Sequence, residues 1–230
     1  MAVPPNTNEA FLREVDEELR RDELIGVWQR YGKLIAAAVV LALAAFGGWL
    51  YYQHWSADKA NAQGEQLVAA YGKLGSGDVA GAGASLADLS QSRAAGYRAL
   101  AKLTQADLLL KKNDLKGGAA KYAEVAGDTS LAQPFRDFAL VRQTAAEFDA
   151  LKPQVVIDRL RSLAVKGNPW FGSAGEMVAI AYLQSGRPQI AQTLFSQIAA
   201  DPGVPDTIHR RASDMAASLA AGAAPEKKAP

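Results

Sequence analysis

The chain contains no cysteine. That excludes disulfides, thiolate metal ligands, a cysteine nucleophile and the lipidated cysteine of a bacterial lipoprotein. Histidine is nearly missing too: His54 and His209 are the only two in 230 residues, and each reads as structural. Carboxylates are scattered without the clustered spacing of a metal site, so neither metal nor cofactor is expected. Gly81-Ala82-Gly83 lacks the third glycine and the preceding strand of a dinucleotide loop. In Gly172-Ser173-Ala174-Gly175 the serine does not sit between the single-residue gaps of a nucleophile elbow. No catalytic constellation can be assembled, and the reading is that the chain is not an enzyme. A formal net charge of +1 removes bulk attraction to nucleic acid, and Lys111-Lys112 has no interleaved aromatics. No nucleic acid and no small-molecule substrate are expected as partners.

Charge is itself absent from residues 34–52, LIAAAVVLALAAFGGWLYY. At about 1.5 Å rise per residue this run spans close to the ~30 Å hydrocarbon core. Eight of its nineteen residues are Leu, Ile, Val or Phe, each favourable by about 0.3–0.6 kcal/mol on insertion. Trp28 and Tyr31 precede it, and Trp49, Tyr51, Tyr52 and Trp55 end it, the placement of rings at headgroup depth. A buried core helix has no use for such girdles. The run is also longer than the apolar part of a signal peptide, and Ala60-Asn61-Ala62 lies well beyond it, so an uncleaved anchor is expected. Arg13, Arg20, Arg21, Arg30 and Lys33 flank the N-terminal side against Lys59 alone on the other. The positive-inside rule then keeps the N-terminus cytoplasmic and sends residues 56–230 across the membrane. Residues 1–33 form a charged arm in which Asn8 can cap an amphipathic helix over 8–30, with Phe11, Val15, Leu19 and Leu24 on one stripe. This helix either leads, solvated, into the membrane or docks on a membrane partner.

Beyond the membrane run no strand pattern appears, only helical periodicity broken by Gly, Asn, Asp and Pro. Ile190/Ala191, Leu194/Phe195 and Ile198/Ala199 recur every four residues and give one apolar face. A helix over 177–183 precedes it, separated by Ser185-Gly186-Arg187-Pro188. The same helix–turn–helix arrangement recurs with turns near 77, 113, 151 and 186, at spacings of 36, 38 and 35 residues. A period near 34 made of helix pairs is the tetratricopeptide (TPR) signature. Ala179 and Tyr182, Ala191 and Phe195, and Pro202 follow the residue pattern in the last unit; Ala106, Gly118 and Tyr122 follow it loosely in the second; the third matches in period only. The fold class expected is all-α: one transmembrane helix, then a TPR-like α-solenoid of about four helix pairs over 53–222, and a disordered tail at 223–230. The alternative is an irregular helical bundle.

In such arrays the first helices, here 61–74, 97–111, 135–149 and 173–184, line the face that receives partners. Arg98, Lys102, Gln105, Arg142 and Glu176 are therefore the candidate partner-binding positions. Trp170 and Phe171 either pack between repeats or form an exposed partner patch. With its charged arm, Trp28-x-x-Tyr31-Gly32 before the membrane run, degenerate repeats, and Arg211-Ala212 near the end, the chain resembles the YfgM-like ancillary subunits of the bacterial SecYEG translocon. The resemblance implies a scaffold or chaperone-like role in the inner membrane, with the repeat domain in the periplasm. Its implied partners are Sec translocon subunits and a periplasmic chaperone, such as a membrane-anchored prolyl-isomerase-like one. The competing reading is a TPR assembly factor for another envelope complex, in cell-wall synthesis or division.

Overall fold

A computed structural model of the chain describes residues 7–223, with side chains from Arg30 to Gly222. Among the described residues every regular element is helical: α1 (Thr7–Gly75), α2 (Val79–Leu89), α3 (Ala95–Lys111), α4 (Leu115–Gly127), α5 (Gln133–Glu147), a 3₁₀ turn (Phe148–Ala150), α6 (Pro153–Leu160), α7 (Phe171–Gln184), α8 (Pro188–Ala199) and α9 (Asp206–Ala223). Two compact units result, Met1–Asn61 and Ala62–Pro230.

In the first unit the backbone is already helical at Thr7, so Asn8 lies inside the helix rather than capping it. The stripe expected at Phe11, Val15, Leu19 and Leu24, and the tail expected over 223–230, fall outside the described side chains. Within α1 one stretch is long and apolar enough to cross a membrane, and no part of its apolar window is buried by protein. Leu34 is 67% exposed and Leu41 69%, values that a core helix of a soluble domain would not show. Exposed rings end the stretch: Tyr31 on one side, and Trp49, Tyr51, Tyr52 and Trp55 on the other. Lys59 Nζ lies 3.7 Å from the centre of the Trp55 ring.

The second unit stacks helix pairs. The pairs are the last part of α1 with α2, α3 with α4, α5 with α6, and α7 with α8. Three of the four intra-pair turns share one backbone device. Gly77, Asn113 and Gly186 take positive φ, at 87°, 62° and 69°. The amides that follow reach back five residues, Asp78 to Lys73, Asp114 to Leu109 and Arg187 to Tyr182, each at 2.9 Å. These are Schellman closures, which satisfy the last carbonyls of the first helix and turn the chain. The third turn differs. There the 3₁₀ turn carries the chain to Leu151, extended at ψ 143°, and to Pro153 in the first turn of α6. The extra residues lengthen that repeat to 38.

Second helices start in two ways. Asp78 and Asp114 cap α2 and α4 by accepting from Gly81 N and Gly117 N at 2.8 Å, whereas α6 and α8 begin on Pro153 and Pro188. Proline supplies a preset φ and needs no partner for the N–H it lacks. Inside the pairs, Ala82, Gly118, Val156 and Ala191 hold equivalent places on the second helices. Four residues on, Leu86, Tyr122, Leu160 and Phe195 are each fully buried. Every such side chain contributes about 1.5–3 kcal/mol by burial, and stacking joins the clusters because one pair cannot cover its own apolar face. The third repeat, matched by period alone in the sequence, thus fills the same positions with Val156 and Leu160. α9 closes the open end, packing Ile208, Ala212, Met215 and Leu219 against the cluster that contains Phe171 and Phe195. Gly172, from the motif noted in the sequence, serves this packing: a Cβ there would meet Val204 Cγ1 at 2.9 Å.

Candidate functional site

First helices present a stepped row of side chains three residues apart: Val68 and Tyr71 on α1, Thr104 and Asp107 on α3, Arg142 and Ala145 on α5, Met177 and Ile180 on α7. At the first two junctions the second member of one step meets the first member of the next. Tyr71 Oη lies 3.3 Å from Thr104 Oγ1, and Arg142 Nη2 donates to Asp107 Oδ1 at 2.7 Å. These contacts define a groove of about 560 Å³ lined by Tyr71, Leu74, Thr104, Asp107, Leu108, Leu110, Lys111 and Arg142. Its volume falls within the range of about 300–1,000 Å³ typical of ligand clefts.

The groove floor is held by a three-residue network. Buried Tyr122 donates its phenol to Asp107, and Arg142 Nε donates to Tyr122 Oη at 3.1 Å. Burial, with the hydrogen bond to Asp107 next, pushes the Tyr122 phenol up to about 12. Burial pulls on Arg142 in the opposite sense, but hydrogen bonds to Tyr122 and Asp107 outweigh it and raise the guanidinium further. Asp107 and Arg142 therefore cancel one another, and Lys111 is the exposed cation in the groove without a carboxylate partner among the described residues.

The expected partner-binding residues do not form one open set. Arg142 alone lines this groove. Arg98 is tied inside the stack, with Nη1 donating to Ser92 O at 2.9 Å, Nη2 to Ser130 Oγ at 2.7 Å and Nε 3.6 Å from Asp128. Lys102 pairs with Glu124 at 3.2 Å, and Lys121 holds the same carboxylate at 2.8 Å. The Lys121 hydrogen bond is the main reason the Glu124 carboxyl is held below its ordinary range. Glu176 accepts two bonds from Arg211, both at 2.7 Å, and that forked contact raises the arginine. Gln105 lines a different groove, between α2, α3 and α4. Of the two readings of Phe171, packing between repeats holds and the partner patch is corrected: at 2% exposure it belongs to the core. Residue 171 opens α7, whose buried face packs against the α8–α9 layer, so the ring has no route to a partner. Trp170 is half-buried against Phe138, ring centres 5.6 Å apart. Conversely, Tyr71, Thr104, Asp107 and Lys111 were not among the expected residues. Their spacing of three or four along each first helix is the signal that marks them.

Helix pairs of this kind, turned by Schellman closures and packed through small and aromatic positions, form a helical-repeat architecture typical of protein-interaction scaffolds. Neither the curated proteins nor the solved structures compared with the chain give a match. The profile of the tetratricopeptide repeat-like domain matches residues 26–201, from shortly before the apolar stretch to just past α8. With more than half of its length inside that match, the chain belongs to the tetratricopeptide repeat-like domain family.

Proposed function

We propose that this chain is a membrane-anchored scaffold for protein–protein contacts, an ancillary subunit of the Sec translocon that holds a periplasmic chaperone near emerging chains. In this reading the apolar stretch of α1 is the anchor, the N-terminus is cytoplasmic and the repeats are periplasmic. The basic residues at 13, 20, 21, 30 and 33, opposed by Lys59 alone, support that orientation. The observation that carries the interaction role is the groove over the first helices, whose Asp107–Arg142 pair fixes its shape while Lys111 stays available to a partner. Tyr71, Thr104, Lys111 and Arg142 are the residues we assign to partner contact. Gln105, Glu176 and Trp170 stand at its margins or on other faces, and Arg98 and Lys102 act through their internal ion pairs.

Recovery of the full-length protein from detergent-solubilised membranes tests this. Translocon subunits and a periplasmic chaperone are expected to co-purify. Recovery of cell-wall or division proteins in their place would replace the proposal with an assembly-factor role for another envelope complex.

A further inference from the structure

The stack forms the same second-helix groove twice, two repeats apart. One copy, of about 580 Å³, lies between α2, α3 and α4; the other, of about 480 Å³, lies between α6, α7 and α8. Five positions of the two linings correspond at 73 residues, the separation of turn residues Asn113 and Gly186. Asp88 corresponds to Arg161, Gln91 to Ala164, Gln105 to Val178, Leu109 to Tyr182 and Lys121 to Leu194. The backbone geometry of such a groove is a consequence of stacking, because a second helix and the next pair leave the same space each time. Its side chains are not such a consequence. In the earlier copy they are polar and carry both signs of charge. At the corresponding positions of the later copy Gln91, Gln105 and Lys121 give way to Ala164, Val178 and Leu194, and the one carboxylate has become a guanidinium, while Gln189, Thr193 and Gln197 complete the lining.

That exchange has a cost for the free protein. Ile190, on the rim of the later groove, is 47% exposed, and half-buried Leu194, Tyr182 and Ala164 continue the apolar floor beneath it. Exposed Arg161 stands at the mouth with no carboxylate partner among the described residues and no acidic residue in the lining. Arg187, its guanidinium 4.8 Å from the centre of the Tyr182 ring and donating to Gln154 at 3.0 Å, adds a second positive charge nearby. Asp158 nearby accepts from Gln154 at 3.0 Å and lies outside the lining, so an apolar floor lined by amides, with Arg161 as its one charge, is complementary to an apolar side chain flanked by a carboxylate.

We infer that the α6–α7–α8 groove is a second docking site, separate from the first-helix groove, that takes an acidic–apolar segment of a partner protein, with Ile190, Leu194 and Tyr182 holding its apolar side chain and Arg161 its carboxylate.

The test uses the full-length chain in lipid nanodiscs and a fluorescein-labelled peptide, Glu-Leu-Phe-Glu-Leu-Glu, with a second peptide carrying Lys for every Glu. Anisotropy should show saturable binding of the acidic peptide. Arg161→Glu should weaken it about tenfold and shift preference to the Lys peptide, while Ile190→Asn weakens both. Asp88→Arg, in the polar copy of the groove, should leave the affinity unchanged. All three positions are exposed, so melting temperatures should hold, and the reversal of peptide preference separates lost recognition from lost folding. No saturable binding, equal affinity in Arg161→Glu and wild type, or loss with Lys111→Glu in place of Arg161→Glu would each overturn the inference.

Discussion

Arg142 on α5 donates to Asp107 on α3 at 2.7 Å, across thirty-five residues of sequence. Arg211 and Glu176 repeat that separation between α9 and α7. Each bond joins one helix layer to the next, so charged residues act as ties between repeats. Both members of the first pair remain about two-fifths exposed, which limits its worth in water. A double-mutant cycle with Arg142→Ala and Asp107→Ala should give a coupling of about 0.2–1 kcal/mol in urea unfolding. A coupling indistinguishable from zero would make the tie a bystander.

Tyr122 adds a pH dependence. Its phenol in the folded chain is raised to about 12 from an ordinary value of 10. The folded state thus holds the proton more tightly than the unfolded chain, and stability is whole below about pH 10 and falls as pH rises toward 12. Wild type should lose more stability over that interval than Tyr122→Phe. Parallel losses in the two proteins would mean that the phenol is not shielded.

Phe195 and Tyr182 belong to the best-matching repeat but stand in different surroundings. Phe195 is fully buried, and its replacement by Ala should cost about 3–5 kcal/mol. Tyr182 lines a groove and is half-buried, so Tyr182→Ala should cost distinctly less. Thermal melting of both variants checks the order, and equal costs would contradict the packing described.

The aspartate caps can be tested through their glycines. A Cβ at Gly117 would lie 2.2 Å from Asp114 Oδ2, and one at Gly81 would lie 2.1 Å from Asp78 Oδ2. Gly117→Ala should therefore displace the cap and cost about 0.5–2 kcal/mol, against the gain normally expected from alanine in a helix. A stabilised variant would show that the cap is dispensable.

Helix pairs were legible in the sequence because glycine, asparagine and proline mark each turn. Gly77, Asn113 and Gly186 sit where a left-handed residue ends a first helix, and the period follows from them. The third repeat was harder to read. Its turn uses a 3₁₀ segment, and Val156 and Leu160 replace the small and aromatic pair by shape alone. The interaction face was legible only in part, because a sequence gives the side of a helix but not its ion-pair partners. Arg98, Lys102 and Glu176 look solvated by periodicity, yet each finds an opposite charge on a neighbouring helix. For Phe171 the sequence left packing and a partner patch both open for the related reason that the residues of its cluster, Val204 and Ala212 among them, come from beyond the repeat that contains it.

That distinction separates two sets of cations. Reversing Arg98, Lys102 and Arg142 together breaks three ties and leaves Asp128, Glu124 and Asp107 facing like charge. This variant should lose about 1–3 kcal/mol. Lys111→Glu should leave the melting temperature unchanged and reduce partner recovery. If the triple variant melts like wild type, the ties contribute nothing.

The most direct measurement is photo-crosslinking from residue 104, with a benzophenone amino acid in place of Thr104 in the groove of the full-length protein in intact membranes. The account predicts adducts with translocon subunits or with a periplasmic chaperone, lost when Lys111→Glu is added. Adducts confined to cell-wall or division proteins, or adducts unchanged by Lys111→Glu, would contradict it.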